Sequence, residues 1–299
     1  MFIVKYRKIW YIFSTLVIIA SIFSIVKFGL NAGIDFTGGS LLEVRYEARP
    51  SIEDLRTFVK NTDFKGVVLQ TTGENGLIVR SRDLTEDEHH SLVALLKSND
   101  TLTLEEERFV SIGPVVGKEL AEKSLAAIVL VVIMIILYVA FAFRKISKVK
   151  HGISPFVFGF LAVTALMHDI IIPTGVFACL GKTAGVEIDV LFITALLAIL
   201  GFSVNDTIVV FDRVRENLRK NVGSDFEDTV SVSVKESIAR SINTSLTTIV
   251  TLVLLFIMGG ESTKYLSLAL IIGLSVGTYS SLFLASPLLV TVKSFQDKK

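Results

Sequence analysis

Leu125-Ala-Ala-Ile-Val-Leu-Val-Val-Ile-Met-Ile-Ile-Leu137 decides the fold class, because it strings apolar residues together without a single charge. The run extends outward to Ser124 and Phe143, about the 20 residues a helix needs to cross the hydrocarbon of a bilayer. A backbone in hydrocarbon must satisfy its own polar groups, so such a run reads as a helix. Five more runs share this character: Ile9–Phe28, Pro155–Leu180, about Ile188 to Phe211, about Ser241 to Met258, and Tyr265–Val292. The totals agree. Of 299 residues, 51% are hydrophobic and 20% charged, too apolar for an ordinary soluble domain and too charged for a chain buried wholly in lipid. Disorder and collagen are excluded on the same grounds. A single cysteine, Cys179, excludes an intramolecular disulfide framework and a cysteine zinc cluster. The first run follows Lys5, Arg7 and Lys8, but Ser24-Ile-Val-Lys27 offers no small-x-small cleavage site, so it reads as an uncleaved spanning helix.

The expected fold is therefore a polytopic α-helical membrane protein with six transmembrane helices. Short-loop Lys and Arg residues set the orientation. Lys5, Arg7 and Lys8, then Arg144, Lys145, Lys148 and Lys150, then Arg213, Arg215, Arg219, Lys220 and Lys235, and finally Lys293, Lys298 and Lys299 all fall on one side of six spans. The opposite short loops hold Lys182 and Lys264. Both termini are expected in the cytoplasm. Three regions follow: 1–28, the N-terminus and first span; 29–123, an extracytoplasmic domain; and 124–299, five spans with cytoplasmic loops and the C-terminus. The middle region carries a net charge of −6 and the remainder +7, so the overall +1 is a sum of opposites that marks sidedness rather than a nucleic-acid partner.

Within 29–123 the periodicities alternate. Leu41–Tyr46 reads as a strand, Ser51–Lys60 as a helix with a Ser N-cap, Gly66–Thr71 and Leu77–Arg80 as strands around Gly73-Glu-Asn-Gly76. Thr85-Glu-Asp-Glu88 is a capping box opening a helix to Lys97, and the last strand is Arg108–Ile112, or a longer one starting near Leu102. This βαββαβ order predicts an α+β ferredoxin-like domain. His89 and His90, among acidic residues, read as a solvated helix face, and no zinc-ligand spacing stands out. Asn99-Asp-Thr101 is a formal glycosylation sequon. Gly181-Lys-Thr183 lacks the spacing and the strand-to-helix setting of a phosphate-binding loop.

Ionisable groups at membrane depth are expensive and call for a reason. Asp206, with Asn205 beside it, lies inside Leu200-Gly-Phe-Ser-Val-Asn-Asp-Thr-Ile-Val-Val-Phe211. Arg240 opens the fifth span, and Thr244, Thr247, Thr248 and Thr251 follow on one helical face. Asn243 and Ser245 fall nearer its flanks. His168 and Asp169 interrupt the third span. Two readings fit these residues: an Asp206–Arg240 pair that glues helices, or a proton relay in which a moving cation loads and releases a carboxylate. In the sixth span Gly273, Gly277, Ser281 and Ala285 form a small-residue stripe suited to close helix packing. Around the outer domain Gly33, Gly38, Gly39, Gly113 and Gly117 supply either hinges or tight turns. No nucleophile–base pair or metal cluster stands out, so neither enzymatic activity nor a bound metal is expected.

Four stretches carry a family resemblance. Gly33-Ile-Asp-Phe-Thr-Gly-Gly39, with Asp35 at its centre, follows the first span. Ile112-Gly-Pro-Val-Val-Gly-Lys-Glu119 precedes the second. Gly201-Phe-Ser-Val-Asn-Asp-Thr-Ile-Val-Val-Phe-Asp-Arg-Val-Arg-Glu-Asn217 fills the end of the fourth, and Gly277-Thr-Tyr-Ser-Ser281 lies in the sixth. Together they resemble the SecF family of the bacterial Sec protein-export machinery. That resemblance implies a partner, SecD, in a twelve-span assembly related to the RND transporters, located in the bacterial cytoplasmic (inner) membrane. It also implies use of a proton or sodium gradient, with no other cofactor, to complete export of unfolded preproteins through the SecYEG channel. By motif match Asp206 is the family's coupling carboxylate and Arg240 its arginine, with Asn205, Thr247, Thr248, His168 and Asp169 as further ion-coupling candidates. Membrane lipids are the remaining expected partners. The rival classes are an RND-type half-transporter for a small molecule or lipid and a purely structural scaffold.

Overall fold

The computed structural model describes residues 2–60, 64, 66–97, 102–144 and 154–297. Lys145, Lys148 and Lys150 of the basic loop, Lys298 and Lys299, and the Asn99-Asp-Thr101 sequon lie outside the described residues. In chain order the elements are α1 (Phe2–Lys5), α2 (Arg7–Phe28), α3 (Ile34–Thr37), β1 (Gly39–Tyr46), α4 (Ile52–Lys60), β2 (Val68–Thr72), β3 (Gly76–Ser81), α5 (Glu86–Leu96), β4 (Leu104–Ile112), α6 (Pro114–Ala142), α7 (Pro155–Ala184), α8 (Val190–Arg219), α9 (Phe226–Met258), α10 (Glu261–Tyr279), a π-helical segment (Ser280–Ala285) and α11 (Ser286–Gln296). The chain divides into two compact units, Ala32–Leu125 and the remainder.

In the helical unit, six stretches are long and apolar enough to cross a membrane: α2, α6, α7, α8, α9 and the continuous helix from Thr263 to Gln296. The protein is a multi-pass membrane protein. Helix α7 is the most enclosed, whereas α6 and α9 keep most of their apolar surface turned outward. Lipid is as apolar as leucine, so helices gain by close packing at small residues rather than by hiding from the solvent. Gly175 of α7 shows this: a Cβ there would lie 2.5 Å from the Ser21 Cα of α2. On α10, a Cβ at Gly273 would meet Ile199 at 2.1 Å, and one at Gly277 would meet the Ser203 Cβ at 3.1 Å. Near the chain ends of this unit, Phe143, Phe158 and Phe211 form a buried aromatic cluster, with Phe143–Phe158 and Phe158–Phe211 centroids both 5.2 Å apart.

Two features depart from the sequence reading. The basic stretch between spans four and five, expected as a loop, is a helical hairpin: α8 continues to Arg219 and α9 already starts at Phe226. Its polar side chains pair with each other, which removes the reason to unwind. The Asn217 amide donates to Ser233 at 3.0 Å and Glu236 at 2.8 Å, Arg213 donates to Glu236 at 2.7 Å, and Asp225 caps α9 by accepting from the Asp228 N–H. The sixth span, expected as one regular helix, passes through the π segment before Ser286-Pro287. Proline inside a regular helix crowds the carbonyl four residues back and leaves it without a donor. A widened turn relieves that conflict, and the Ser286 hydroxyl donates to the Ser281 carbonyl at 2.8 Å.

The unit Ala32–Leu125, called the outer unit after its expected position, is a four-stranded sheet, in order β2-β3-β1-β4, with every neighbouring pair antiparallel. Central β1 pairs Leu42 with Val79 on one side and Phe109 on the other, and its register with β4 shifts between Glu43 and Val44. Leu42, Val44 and Tyr46 of β1, Leu77 and Val79 of β3, Leu55 and Val59 of α4, and Leu92 and Leu96 of α5 form its core. Strand β2 begins at Val68, two residues later than expected, because Gly66 takes φ 78° and turns the chain. The Thr85–Glu88 capping box forms as expected. His89 is a correction. It is 6% exposed rather than solvated, its Nε2 lies 3.2 Å from Glu106, and its ring stacks on Phe109 at 3.8 Å. Adjacent acidic residues suggested a wet face, but α5 turns this position towards β4. Buried Tyr46 donates to the Leu96 carbonyl at 3.2 Å, and burial pushes its phenol up to about 12.

Two outcomes are expected. Gly175→Val should lower the unfolding free energy of the solubilised chain by about 1–3 kcal/mol, and its unfolding midpoint with it, because α2 and α7 cannot separate without losing their contact. Gly201→Ala, where a Cβ meets nothing within 4 Å, should leave the midpoint unchanged or raised. In the outer unit, the bond from Arg82 and those from Thr85 hold the Glu88 carboxyl down at about 2, against its ordinary 4.5. A depressed carboxyl favours the folded state above pH 4.5 and ceases to do so as pH falls through about 2. Amide exchange in β1 should therefore be faster in Glu88→Gln than in the parent above pH 4.5, and the difference should vanish towards pH 2.

Candidate functional site

Asp206 opens on a cavity of about 300 Å³ between α8, α9 and α10. Asn205, Arg240, Thr244, Thr248 and Gly277 share that lining. The close approach at Gly277 draws α10 onto α8 beneath Asp206. Ser241 and Ser281 stand beside its carboxyl. Asp206 Oδ2 and Ser241 Oγ are nevertheless both buried without a hydrogen-bond partner. Arg240 faces the same cavity and is itself exposed. Among the described residues, no ion pair joins Arg240 to Asp206, so the pairing that either sequence reading invoked is not made in this conformation. The site is an open carboxylate with a cation across a gap.

The threonine stripe of α9 divides. Thr244 and Thr248 line the cavity, whereas Thr247 and Thr251 do not. Thr247 and Thr248 donate back to the Thr244 carbonyl at 2.8 and 3.2 Å, and Thr251 donates to the Thr247 carbonyl at 3.2 Å. A hydroxyl one turn above a carbonyl satisfies itself this way, so a stripe of threonines need not reach another helix. The link across to α10 comes instead from Ser245, which accepts from Thr278 at 2.5 Å. The sequence reading placed Ser245 on the flank. Its position three residues before Thr248 was the available signal.

A second cluster surrounds Asp169, and both its residues are enclosed: His168 is 2% exposed and Asp169 0%. His168 Nδ1 lies 2.9 Å from Asp169 Oδ1. Asp169 Oδ2 accepts from the Ser280 hydroxyl at 2.8 Å and also from the Ser203 hydroxyl. Next in line, Thr207 and Ser281 share a hydrogen bond of 3.0 Å. Helices α7 and α8 and the π segment therefore converge on one carboxylate. Sequence reasoning named His168, Asp169 and Ser281 but missed Ser203, Thr207 and Ser280. Ser203 and Thr207 stand one turn apart on α8, a weak signal that acquires meaning only opposite Asp169.

The glycine-bearing segments of the outer unit are closely packed. Gly33 begins the single turn of α3, with its carbonyl accepting the Thr37 hydroxyl at 3.0 Å, and Asp35 sits in that turn. Gly38 takes φ 74°, and a Cβ there would lie 2.7 Å from the Pro114 Cα. Gly39 takes φ 124° against the Ser81 carbonyl, and Gly117, inside the first turns of α6, faces the Gly38 nitrogen at 2.8 Å from where a Cβ would sit. Gly113 has open space around it.

Removing Asp169 leaves a buried imidazole and the Ser203 hydroxyl without their acceptor, while Ser280 keeps the Gly277 carbonyl. Asp169→Ala should cost about 3–5 kcal/mol of stability in the solubilised chain. Asp206→Ala, which removes no ion pair, should cost far less. Chemical unfolding of the two variants side by side checks the order.

The model of the family described as "Protein export membrane protein SecD/SecF, C-terminal" matches residues 92–294, and that of the "SecD/SecF GG Motif" matches residues 23–48. The chain is 42% identical to the protein translocase subunit SecF of Thermobaculum terrenum, over 97% of this chain and 93% of that one. It is 36% identical to that of Haemophilus influenzae, over 94% and 82% respectively. The crystal structure of SecDF, a translocon-associated membrane protein from Thermus thermophilus, matches with a TM-score of 0.84 and 30% identity, covering 97% of this chain and 38% of that longer chain. A second SecDF crystal structure, in a super-membrane-facing form, matches with a TM-score of 0.67. The chain belongs to the SecF family of protein translocase subunits.

Proposed function

We propose that this chain works in the bacterial cytoplasmic membrane beside a SecD partner, and that the pair turns an ion gradient into the late steps of preprotein export through SecYEG. The 38% coverage of the SecDF chain supports SecD as the partner, since it leaves room there for a second set of spans and domains. Both termini face the cytoplasm and residues 29–123 face outward, in keeping with the Lys and Arg bias of the short loops.

The observation that carries this reading is the buried, unpartnered pair of oxygens at Asp206 Oδ2 and Ser241 Oγ, beside a cavity that Arg240 shares. Native proteins rarely leave such atoms unsatisfied, and an exception calls for a group that comes and goes. A proton on Asp206, or a sodium ion held by its carboxylate with the Ser241 hydroxyl and Asn205 nearby, meets that need. Each charge crossing the membrane releases about 2.3 kcal/mol per 100 mV. Loading Asp206 cancels its attraction for Arg240, and unloading restores it. The helices bearing them, α8 and α9, are then biased towards different spacings in the two states. Arg240 thus serves as the responding cation, while Thr244 and Thr248 keep a polar lining between the charges.

Proteoliposomes containing the chain with SecD and SecYEG provide the test. Asp206→Asn should abolish the part of preprotein export that an imposed gradient stimulates, and leave the gradient-independent part intact. Full stimulation in Asp206→Asn would overturn the proposal. Proton and sodium gradients imposed separately identify the ion.

A further inference from the structure

The cluster around Asp169 contains a group that the Asp206 mechanism does not use. His168 is 2% exposed, and its Nε2 is buried without a hydrogen-bond partner. Asp169 Oδ1 faces Nδ1 at 2.9 Å, and the other carboxylate oxygen accepts the hydroxyls of Ser203 and Ser280. A carboxylate that accepts from two hydroxyls is in its acceptor form, so the hydrogen between His168 and Asp169 sits on Nδ1. When the ring is neutral its lone pair lies at Nε2, with no donor to occupy it. In a helix core this is a base fixed in one tautomer, with its counter-charge in place beforehand.

We propose that His168 is a second proton-holding site, poised by Asp169 and coupled to the Asp206 cavity through the neighbouring serines of the π segment. Its ligand is a proton. One added at Nε2 makes a new N–H bond and takes the ring from neutral to +1, while Nδ1–H stays on Asp169 and the carboxylate keeps its −1. Its loss to solvent reverses the step, and no other covalent bond changes. The coupling follows from Ser280 and Ser281. Ser280 reaches both Asp169 at 2.8 Å and the Gly277 carbonyl at 3.0 Å, yet has one hydrogen to give. Ser281 reaches the same Gly277 carbonyl at 2.8 Å and Thr207 at 3.0 Å, and stands beside Asp206. A change of charge at His168–Asp169 changes the pull on the Ser280 hydrogen, and so alters what Gly277 and Ser281 can offer on the side facing Asp206. π-helical turns occur frequently at functional sites.

The titratable groups facing His168 are few. Asp169 lies on its own helix. Tyr279 of α10 stacks on its ring at 5.9 Å, with its hydroxyl engaged by Ser14 of α2 at 3.0 Å and the Trp10 carbonyl at 3.2 Å. Beyond Asp169, Asp206 of α8 feels its charge.

The site rests on the reading of Asp206 as the coupling carboxylate, and a spectroscopic test separates the two. The full chain, ¹⁵N-labelled at its 4 histidines and reconstituted in lipid vesicles, is titrated from about pH 5 to pH 9, a range spanning the free imidazole value. One resonance should be lost in His168→Gln. In the parent it should show the Nδ1–H neutral tautomer at high pH and become imidazolium at low pH. Asp206→Asn and Ser280→Ala should each move its midpoint by about one pH unit. A variant with His89, His90 and His151 replaced by Gln keeps only His168 and makes the same measurement if His168→Gln does not accumulate. A His168 that holds one protonation state throughout, or a midpoint indifferent to Asp206→Asn and Ser280→Ala, overturns the proposal. If Asp206→Asn keeps full gradient-stimulated export while His168 still titrates as described, the coupling role of Asp206 fails and the proton site at His168 stands.

Discussion

A charged or hydrogen-bonding group in hydrocarbon must find its partner inside the protein, and the helical unit is organised around that demand at Asp169. Three donors converge on it: His168 from its own helix, Ser203 from α8 and Ser280 from the π segment. They can converge only because α10 lies hard against α8, with Gly277 over the Ser203 Cβ and Gly273 over Ile199. Ser203 serves twice, its Cβ in the packing seam and its hydroxyl on the carboxylate. Larger residues in the seam would separate the helices, and the carboxylate would lose the partners that make its burial tolerable.

Asp206, one helical turn from Ser203, lives under different terms. Its neighbours on α8 and α10 belong to the tight seam, but the wall opposite is α9, among the least enclosed of the spans. On that wall the Thr248 hydroxyl is satisfied by its own backbone, and among the described residues Arg240 makes no ion pair with Asp206. The protein thus places one saturated carboxylate and one unsaturated carboxylate close together. The saturated one fixes geometry through enthalpy and packing. The other has few contacts to lose when its charge state changes, which suits a group whose occupancy must vary.

Hydropathy revealed the spans because a bilayer of fixed thickness imposes a length on any apolar helix, and the sequence satisfies it six times over. The order of strands and helices in the outer unit was also legible, since Thr85–Glu88 and the alternation in β1 are local signals. Asp206 stood out as a carboxylate with apolar flanks. What stayed hidden was whatever depends on two helices meeting. Ser203 and Ser280 are ordinary small polar residues until Asp169 stands opposite them. The hairpin of α8 and α9 looked like a loop because part of its polar pairing runs from one helix to the other, as that of Asn217 with Ser233 and Glu236 does. His89 was misread for the complementary reason: its sequence neighbours are acidic, but the ring packed on it is Phe109 from β4.

The π segment also governs phase. Each residue of a regular helix advances the side chains by about 100°, so one residue more or fewer rotates everything beyond it by that angle. Ser280–Ala285 absorbs an irregular turn in the middle of a span, and the C-terminal helix owes its angular setting to that turn. Leu289 and Val290 face the core, and Thr291 meets Tyr11 at 2.9 Å, only while the count is kept. Trimming one residue here would change composition hardly at all, yet it would swing the whole of α11 about its axis and present lipid-facing side chains to the interior. The end of this span is held by arithmetic along the chain as much as by chemistry between side chains, so a length change would be tolerated far less here than a substitution of similar size.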